Sequence, residues 1–166
     1  MELCITHFRY TSQAACDEHM KWDTVKEFME TYKTDPDLHG GEPEIWHSNQ
    51  VELFTRPELA KHENPFVLLA KVNYKLETFN EGLEGWKPVV ANAKSKETGT
   101  LTYSVGKDVE HENRLTLVEA YESEKYLKEV HFAGAAVQEK MKQEEKLRAA
   151  ESDVVFLKLV AGYWQK

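Results

Sequence analysis

The spacing of apolar residues along the chain switches repeatedly between a period of two and a period near 3.6, and the switches mark out elements. Residues 66 to 75, FVLLAKVNYK, are apolar and then alternating behind Pro65, which holds its predecessor extended, and they predict a strand. From Leu76 the period lengthens, and Phe79, Leu83, Trp86 and Val90 form one apolar stripe, so LETFNEGLEGWKPVVANAK predicts an amphipathic helix. Pro88 within it predicts a kink or restart near Gly85 to Lys87. Beyond Gly99, TLTYSV at 100 to 105 alternates again, and RLTLVEAY at 114 to 121 follows after the polar turn GKDVEHEN. Such a pair reads as antiparallel strands.

Ser123 is a candidate N-cap, followed at helical spacing by Leu127, Val130, Ala133, Val137 and Met141. The charged run QEKMKQEEKLRAAE then predicts a solvated extension carrying pairs such as Glu144 with Arg148. SDVVFLKLVAGYW, 152 to 164, predicts a last strand. From residue 66 onward the order is strand, helix, strand, strand, helix, strand, which is that of a ferredoxin-like α+β sandwich. The first 65 residues predict a shorter β-α-β unit: ELCITHFRY as a strand, a helix with Val25, Phe28, Met29 and Tyr32 on one face and Thr24-x-x-Glu27 as a capping box, and a strand within EIWHSNQVELF. The expected division is therefore 1–65 and 66–166.

Composition narrows the partners. The formal net charge of −8 in 166 residues disfavours nucleic acid and anionic membrane surfaces, because no basic run or face offsets the general repulsion. No window approaches the roughly 20 apolar residues that span a bilayer, and the N-terminus has no basic region leading into an apolar core. The two cysteines, Cys4 and Cys16, match no metal or redox spacing and suggest no disulfide framework, so a reducing, cytoplasmic setting is expected. His39, Glu42, Glu44 and His47 are the densest ligand-like group, but their spacing fits no metal motif and loop polarity explains them better, so no metal is expected.

One joint pattern is more specific. Glu97-x-Gly99-Thr100-Leu101-x-Tyr103, a turn, Asn113-Arg114-Leu115-x-Leu117-x-Glu119-x-Tyr121, and a helix carrying His131 near its first turns resemble the antibiotic biosynthesis monooxygenase family of the dimeric α+β barrels. The resemblance implies a four-stranded antiparallel sheet with helices on one face, while the other face meets a second sheet, from a homodimer partner or partly from residues 1 to 65. It also implies cofactor-free oxidation of a small aromatic or lipophilic metabolite by O2, as in secondary metabolism. Triplet dioxygen reacts slowly with closed-shell molecules. The protein must therefore deprotonate the substrate, stabilise the anion and hold it dry in an apolar cavity, which needs no nucleophile triad.

On that reading His131, Asn73 and Tyr103 are the catalytic candidates and Trp86, Tyr121 and Phe79 the substrate-contacting ones. Each has an ordinary rival. His131 borders the packed stripe and can be a satisfied core or interface histidine, and Asn73, on the polar face of its strand with Lys71 and Lys75, can satisfy backbone at a sheet edge. Tyr103, Tyr121, Trp86 and Phe79 can all be packing residues. Glu119, in mid-strand, must pair with a base such as Arg114 or Lys71 or face water, and it reads as structural. The family's haem-degrading branch places a Trp beside the histidine of the second helix; residues 124 to 150 have no Trp, so no haem is expected. The competing function is a barrel that binds a hydrophobic metabolite, or a stress-related assembly protein, without turnover.

Overall fold

The computed structural model describes residues 5–35 and 45–158. The chain forms two compact units, Met1–Ile45 and Trp46–Lys166, so the division falls about twenty residues before the expected boundary. The displacement has a direct cause. The strand expected within EIWHSNQVELF, β1 (Ser48–Thr55), does not complete a small N-terminal unit but pairs antiparallel with β3 (Thr100–Asp108) and so belongs to the large sheet.

In the first unit the described residues hold two helices, α1 (Gln13–Met20) and α2 (Asp23–Thr34). Residues 5–10 are not a strand, which corrects the β-α-β expectation for this unit, and residues 1–4 lie outside the described ones. α1 is capped by Ser12, whose Oγ accepts from the Ala15 amide. α2 begins at Asp23 behind Trp22 with no side-chain cap, so the Thr24-to-Glu27 capping box is not formed: both residues already lie inside the helix.

The second unit is a five-stranded antiparallel sheet in the order β1-β3-β4-β2-β5, with β2 at Phe66–Asn73, β4 at Arg114–Tyr121 and β5 at Asp153–Lys158. β2, β3, β4 and β5 reproduce the ferredoxin-like order, and β1 extends it beyond β3. Among the described residues the sheet is open, with β1 and β5 at its edges and no barrel closed. The strand expected to run to residue 164 is described to Lys158, and the remainder lies outside the described residues.

The helix predicted after Leu76 appears as α3 (Phe79–Glu84) and α4 (Trp86–Lys96), broken at Gly85 as the proline pattern required. Its stripe packs: Leu83, Trp86 and Val90 are buried and Phe79 is partly so. α4 ends against Arg56, whose Nε donates to Thr100 O and whose Nη2 donates to Lys94 O, closing carbonyls that a helix C-terminus leaves open.

The second helical segment departs from its prediction. Ser123 does cap α5 (Glu124–Tyr126), but Leu127–His131 is a π turn, closed by the Phe132 amide on the Leu127 carbonyl, and the helix restarts at Gly134 to give α6 (Ala135–Leu147). The extra residue and the break rotate the register. Val130 and Met141, expected inside, are 41% and 48% exposed, while His131, Lys140, Glu144 and Leu147 turn inward. The charged run is consequently not a solvated extension. Glu144 does pair with Arg148, but it is buried and also bound to Lys140.

Leu68, Ala70, Val72, Tyr74, Tyr103, Val105, Leu115, Leu117 and Tyr121 face the helices and form the main core with Leu83, Trp86, Val89, Val90, Leu127 and Val137. On the opposite face Leu59, from a 3-10 turn at Pro57–Lys61, covers Val67, Leu101 and Ala120. Among the described residues no helix is long and apolar enough to cross a membrane.

Candidate functional site

The helix-facing side of β3 and β4 should be apolar throughout, yet its alternation brings Glu119 inward between Leu117 and Tyr121. A carboxyl there is tolerable only with donors. Tyr121 Oη donates to Glu119 Oε2 at 2.5 Å, and Tyr103, opposite Glu119 in the β3–β4 register, donates a second bond. These tyrosines, not Arg114 or Lys71, are its partners, which corrects the sequence expectation. Arg114 instead binds Asp108 at 2.7 Å. Burial raises the pKa of Glu119; the charge of His131 and the two tyrosine bonds pull it back only in part.

The π turn delivers His131 to the same place. Its ring centroid lies 5.5 Å from that of Tyr103 and 5.2 Å from that of Tyr121, and the residue is 2% exposed. Nδ1 is 2.7 Å from Glu97 Oε2. Glu97, at the end of α4, also accepts from Thr100 Oγ1 at 2.8 Å and Asn92 Nδ2 at 2.9 Å. Burial pushes its carboxyl upward, but the bond and charge of His131 and the Thr100 and Asn92 bonds outweigh that, leaving its pKa below the ordinary value. The two tyrosine hydroxyls are pushed well above theirs, by burial first and by the Glu119 carboxylate second.

Trp86 borders this cluster through Tyr103, at 6.5 Å between centroids, and joins it to a second buried network. Trp86 Nε1 donates to Tyr74 Oη at 2.8 Å, and Tyr74 Oη donates to Glu144 Oε1 at 2.8 Å. Lys140 binds Glu144, donates to Gly82 O at 2.7 Å and lies over the Trp86 ring at 5.0 Å. Burial lowers the pKa of Lys140 against the upward pull of Glu144.

His131, Tyr103 and Tyr121 are thus brought together, with Trp86 alongside. Asn73 is not: it stands at the end of β2 opposite Arg114, and alternation places it on the sheet face away from Val72 and Tyr74. Phe79 is not either; it packs edge-on against Tyr74, 6.2 Å between centroids, under Lys107. Glu97 and Glu119 were missed as site residues although both stand in the motif, because a sequence shows neither where the turn after α4 directs Glu97 nor which sheet face Glu119 takes. The two clefts described, about 270 and 260 Å3, are centred on Arg148 with Ala149 and on Ser123 with Tyr126, and neither is lined by any of the six candidates. His131 is 2% exposed, and its ring contacts those of Tyr103, Tyr121 and Phe132. Of the ligand-like group in the first half, His47 binds Glu110 at 2.8 Å, and residues 39, 42 and 44 lie outside the described ones. Among the described residues no three His, Cys, Asp or Glu side chains are grouped to hold a metal ion.

No family model and no curated protein matches the sequence. Solved structures do match the fold. A candidate monooxygenase from Lactobacillus acidophilus superposes with a TM-score of 0.70 at 16% identity over 90% of this chain and 67% of its own. One from Fusobacterium nucleatum gives 0.69 at 19% identity over 92% and 67%. A candidate antibiotic biosynthesis monooxygenase from Nitrosomonas europaea gives 0.55 at 16% identity over 58% and 90%. The chain has the α+β fold of the antibiotic biosynthesis monooxygenases.

Proposed function

We propose that the chain is a monooxygenase that oxidises a small aromatic or lipophilic metabolite of secondary metabolism with O2 and without flavin, haem or metal. The observation that supports this reading is His131, buried against the rings of Tyr103 and Tyr121 and bound to Glu97, in a fold shared with candidate monooxygenases. An imidazole in a dry aromatic wall can take a proton from a phenol or enol, and the flanking rings can hold the planar anion while oxygen adds. Tyr103 supplies a donor and ring area, and Trp86 and Tyr121 supply apolar surface. Entry is through the interrupted helix beside His131: the π turn and the break before Gly134 are where the covering layer opens at least cost. Asn73 and Phe79, if they touch substrate, do so from outside this cluster.

The protein works as a cytoplasmic homodimer on this reading, a second sheet sealing the face opposite the helices. The decisive experiment follows oxygen uptake by metal-stripped protein over a panel of anthrones, quinols and lipophilic acids. Turnover without added flavin or iron, abolished in His131→Ala, is the expected result. Dependence on added flavin or iron, or a fully active His131→Ala, overturns it.

One observation favours a second reading. His131 is 2% exposed and neither described cleft opens on it. A protein that binds a hydrophobic metabolite, or serves in a stress-related assembly, has no need of a reachable base. Ligand binding with no oxygen consumption across the panel selects this alternative.

A further inference from the structure

The carboxylate of Glu97 accepts from three donors. Thr100 Oγ1 and His131 Nδ1 both meet Oε2, and Asn92 Nδ2 meets Oε1. A carboxylate can only accept, and all three of these groups meet it at hydrogen-bond distance. The hydrogen between Glu97 and His131 therefore sits on Nδ1. A neutral imidazole with its hydrogen on Nδ1 keeps its lone pair on Nε2. The rings of Tyr103 and Tyr121, both on the helix-facing side of the sheet, contact the imidazole and restrict its rotation.

We infer that Glu97 is the positioning residue of the site: it locks His131 in the tautomer that leaves Nε2 as the one nitrogen able to take a proton from a bound substrate. This deepens the proposed function and rests on it for the word substrate, but the tautomer itself does not. The architecture explains the spacing of the motif. Glu97 follows α4 directly and Thr100 opens β3, so the turn between them carries both the acceptor and one of the donors that steady it. Asn92, one turn earlier in α4, steadies the other oxygen. The proton taken at Nε2 makes the ring an imidazolium. Glu97 stabilises that charge without moving. O2 adds to the substrate anion, the same nitrogen returns the proton to the resulting peroxide anion, and the hydroperoxide loses water to leave a carbonyl. The substrate thus supplies all the electrons and the second oxygen departs as water.

The test reads the ring nitrogens directly. His131 is observed by 15N NMR in the full chain labelled at histidine, with His131→Gln used to assign its signals. Wild-type protein, at a pH where the ring is neutral, is expected to give a protonated Nδ1 and an unprotonated Nε2. In Glu97→Met, which keeps the bulk but offers no carboxylate, the ring is expected to lose that single tautomer, shifting hydrogen onto Nε2. Oxygen uptake is expected to fall about a hundredfold or more in the same variant, the range general-base loss produces. Glu97→Asp is expected to recover part of both. A wild-type ring with its hydrogen on Nε2, or a Glu97→Met ring that keeps the wild-type tautomer, overturns the inference. Should Glu97→Met fail to fold, the wild-type spectrum alone still decides it. Protein that shows the expected tautomer yet consumes no oxygen sinks the proposed function and leaves the positioning role of Glu97 standing.

Discussion

Tyr74, one residue beyond the end of β2, donates its hydroxyl proton to Glu144 of α6, seventy residues later, at 2.8 Å, and neither side chain meets solvent. The same oxygen accepts from Trp86 Nε1, so one hydroxyl ties the sheet to both helical layers. Burial first, and the Glu144 carboxylate second, push the Tyr74 pKa strongly upward, so the hydroxyl remains a donor at any working pH. Tyr74→Phe removes a single oxygen and leaves a buried indole N–H without its acceptor, while Glu144 Oε1 loses one of its two donors and keeps Lys140. A loss of about 1–3 kcal/mol is expected, read as a lower urea midpoint with an unchanged slope. A variant as stable as wild type would mean that water replaces the hydroxyl.

Gly82 in α3 lies against the face of that tyrosine. A Cβ built there would stand 2.2 Å from Tyr74 Cε1, well inside contact distance. Alanine is the better helix former by up to about 1 kcal/mol, so a solvent-facing glycine would gain from the change. Here the overpacking must displace the ring and with it the bonds to Glu144 and Trp86. Gly82→Ala is expected to lose about 1–3 kcal/mol net. Gain of stability in thermal unfolding would show that the ring has room to yield.

The periodicity made the β-α-β-β-α-β order, the break at Gly85 and the strand limits of β4 legible, because those rest on local sterics and on one buried stripe each. It could not reveal the π turn. Nothing in LKEVH distinguishes a five-residue turn from an α-helical one, yet that single added residue is what moves Val130 out and His131 in. The same limit hid the second network. Lys140 and Glu144 are spaced as an ordinary solvent-exposed pair, and only the restart of α6 at Ala135 turns them under Trp86 and Tyr74. Of the candidate site, His131, Tyr103, Tyr121 and Trp86 converge. Asn73 lies apart for a reason of parity: β2 presents Val72 and Tyr74 to the helices, which commits Asn73 to the other face. β1 was assigned to the wrong unit because pairing across some fifty residues leaves no mark in either strand.

Arg56 is a residue that no pattern singled out. Beyond its bonds to Thr100 O and Lys94 O, its Nη2 lies 3.2 Å from Ala93 O and 3.3 Å from Glu97 O, so one guanidinium closes the end of α4 and stitches it to the stretch after β1. The turn it clamps carries Glu97. Arg56→Ala should cost about 1–3 kcal/mol, and Arg56→Lys should recover little, since an ammonium cannot span diverging carbonyls as the planar fork does. Faster amide hydrogen exchange at the end of α4 would report the loss locally. A lysine variant with wild-type protection would show that charge alone suffices.

The two buried carboxyls give stability slopes of opposite sign, and they can be separated. Glu97 has its folded pKa below the ordinary 4.5, so its contribution is present above that pH and is lost as the pH falls through the folded value. Glu119 has its folded pKa raised above the same 4.5. Its contribution is complete below pH 4.5 and is lost as the pH rises through the folded value, because the unfolded chain gives up the proton first. Glu119→Gln keeps an acceptor for Tyr103 and Tyr121 and removes the titration. The difference in unfolding free energy between variant and wild type should therefore grow in the variant's favour as the pH is raised from 4.5, by at most about 1.4 kcal/mol per pH unit, and level off beyond the folded pKa. Groups remote from Glu119 titrate alike in both proteins and cancel from that difference; Glu97 and His131, whose charges act on Glu119, do not cancel in full. A difference that stays flat from pH 4 to 8 would mean that Glu119 ionises in the fold as readily as in the unfolded chain, and that the two tyrosine hydroxyls with the nearby imidazole fully offset its burial.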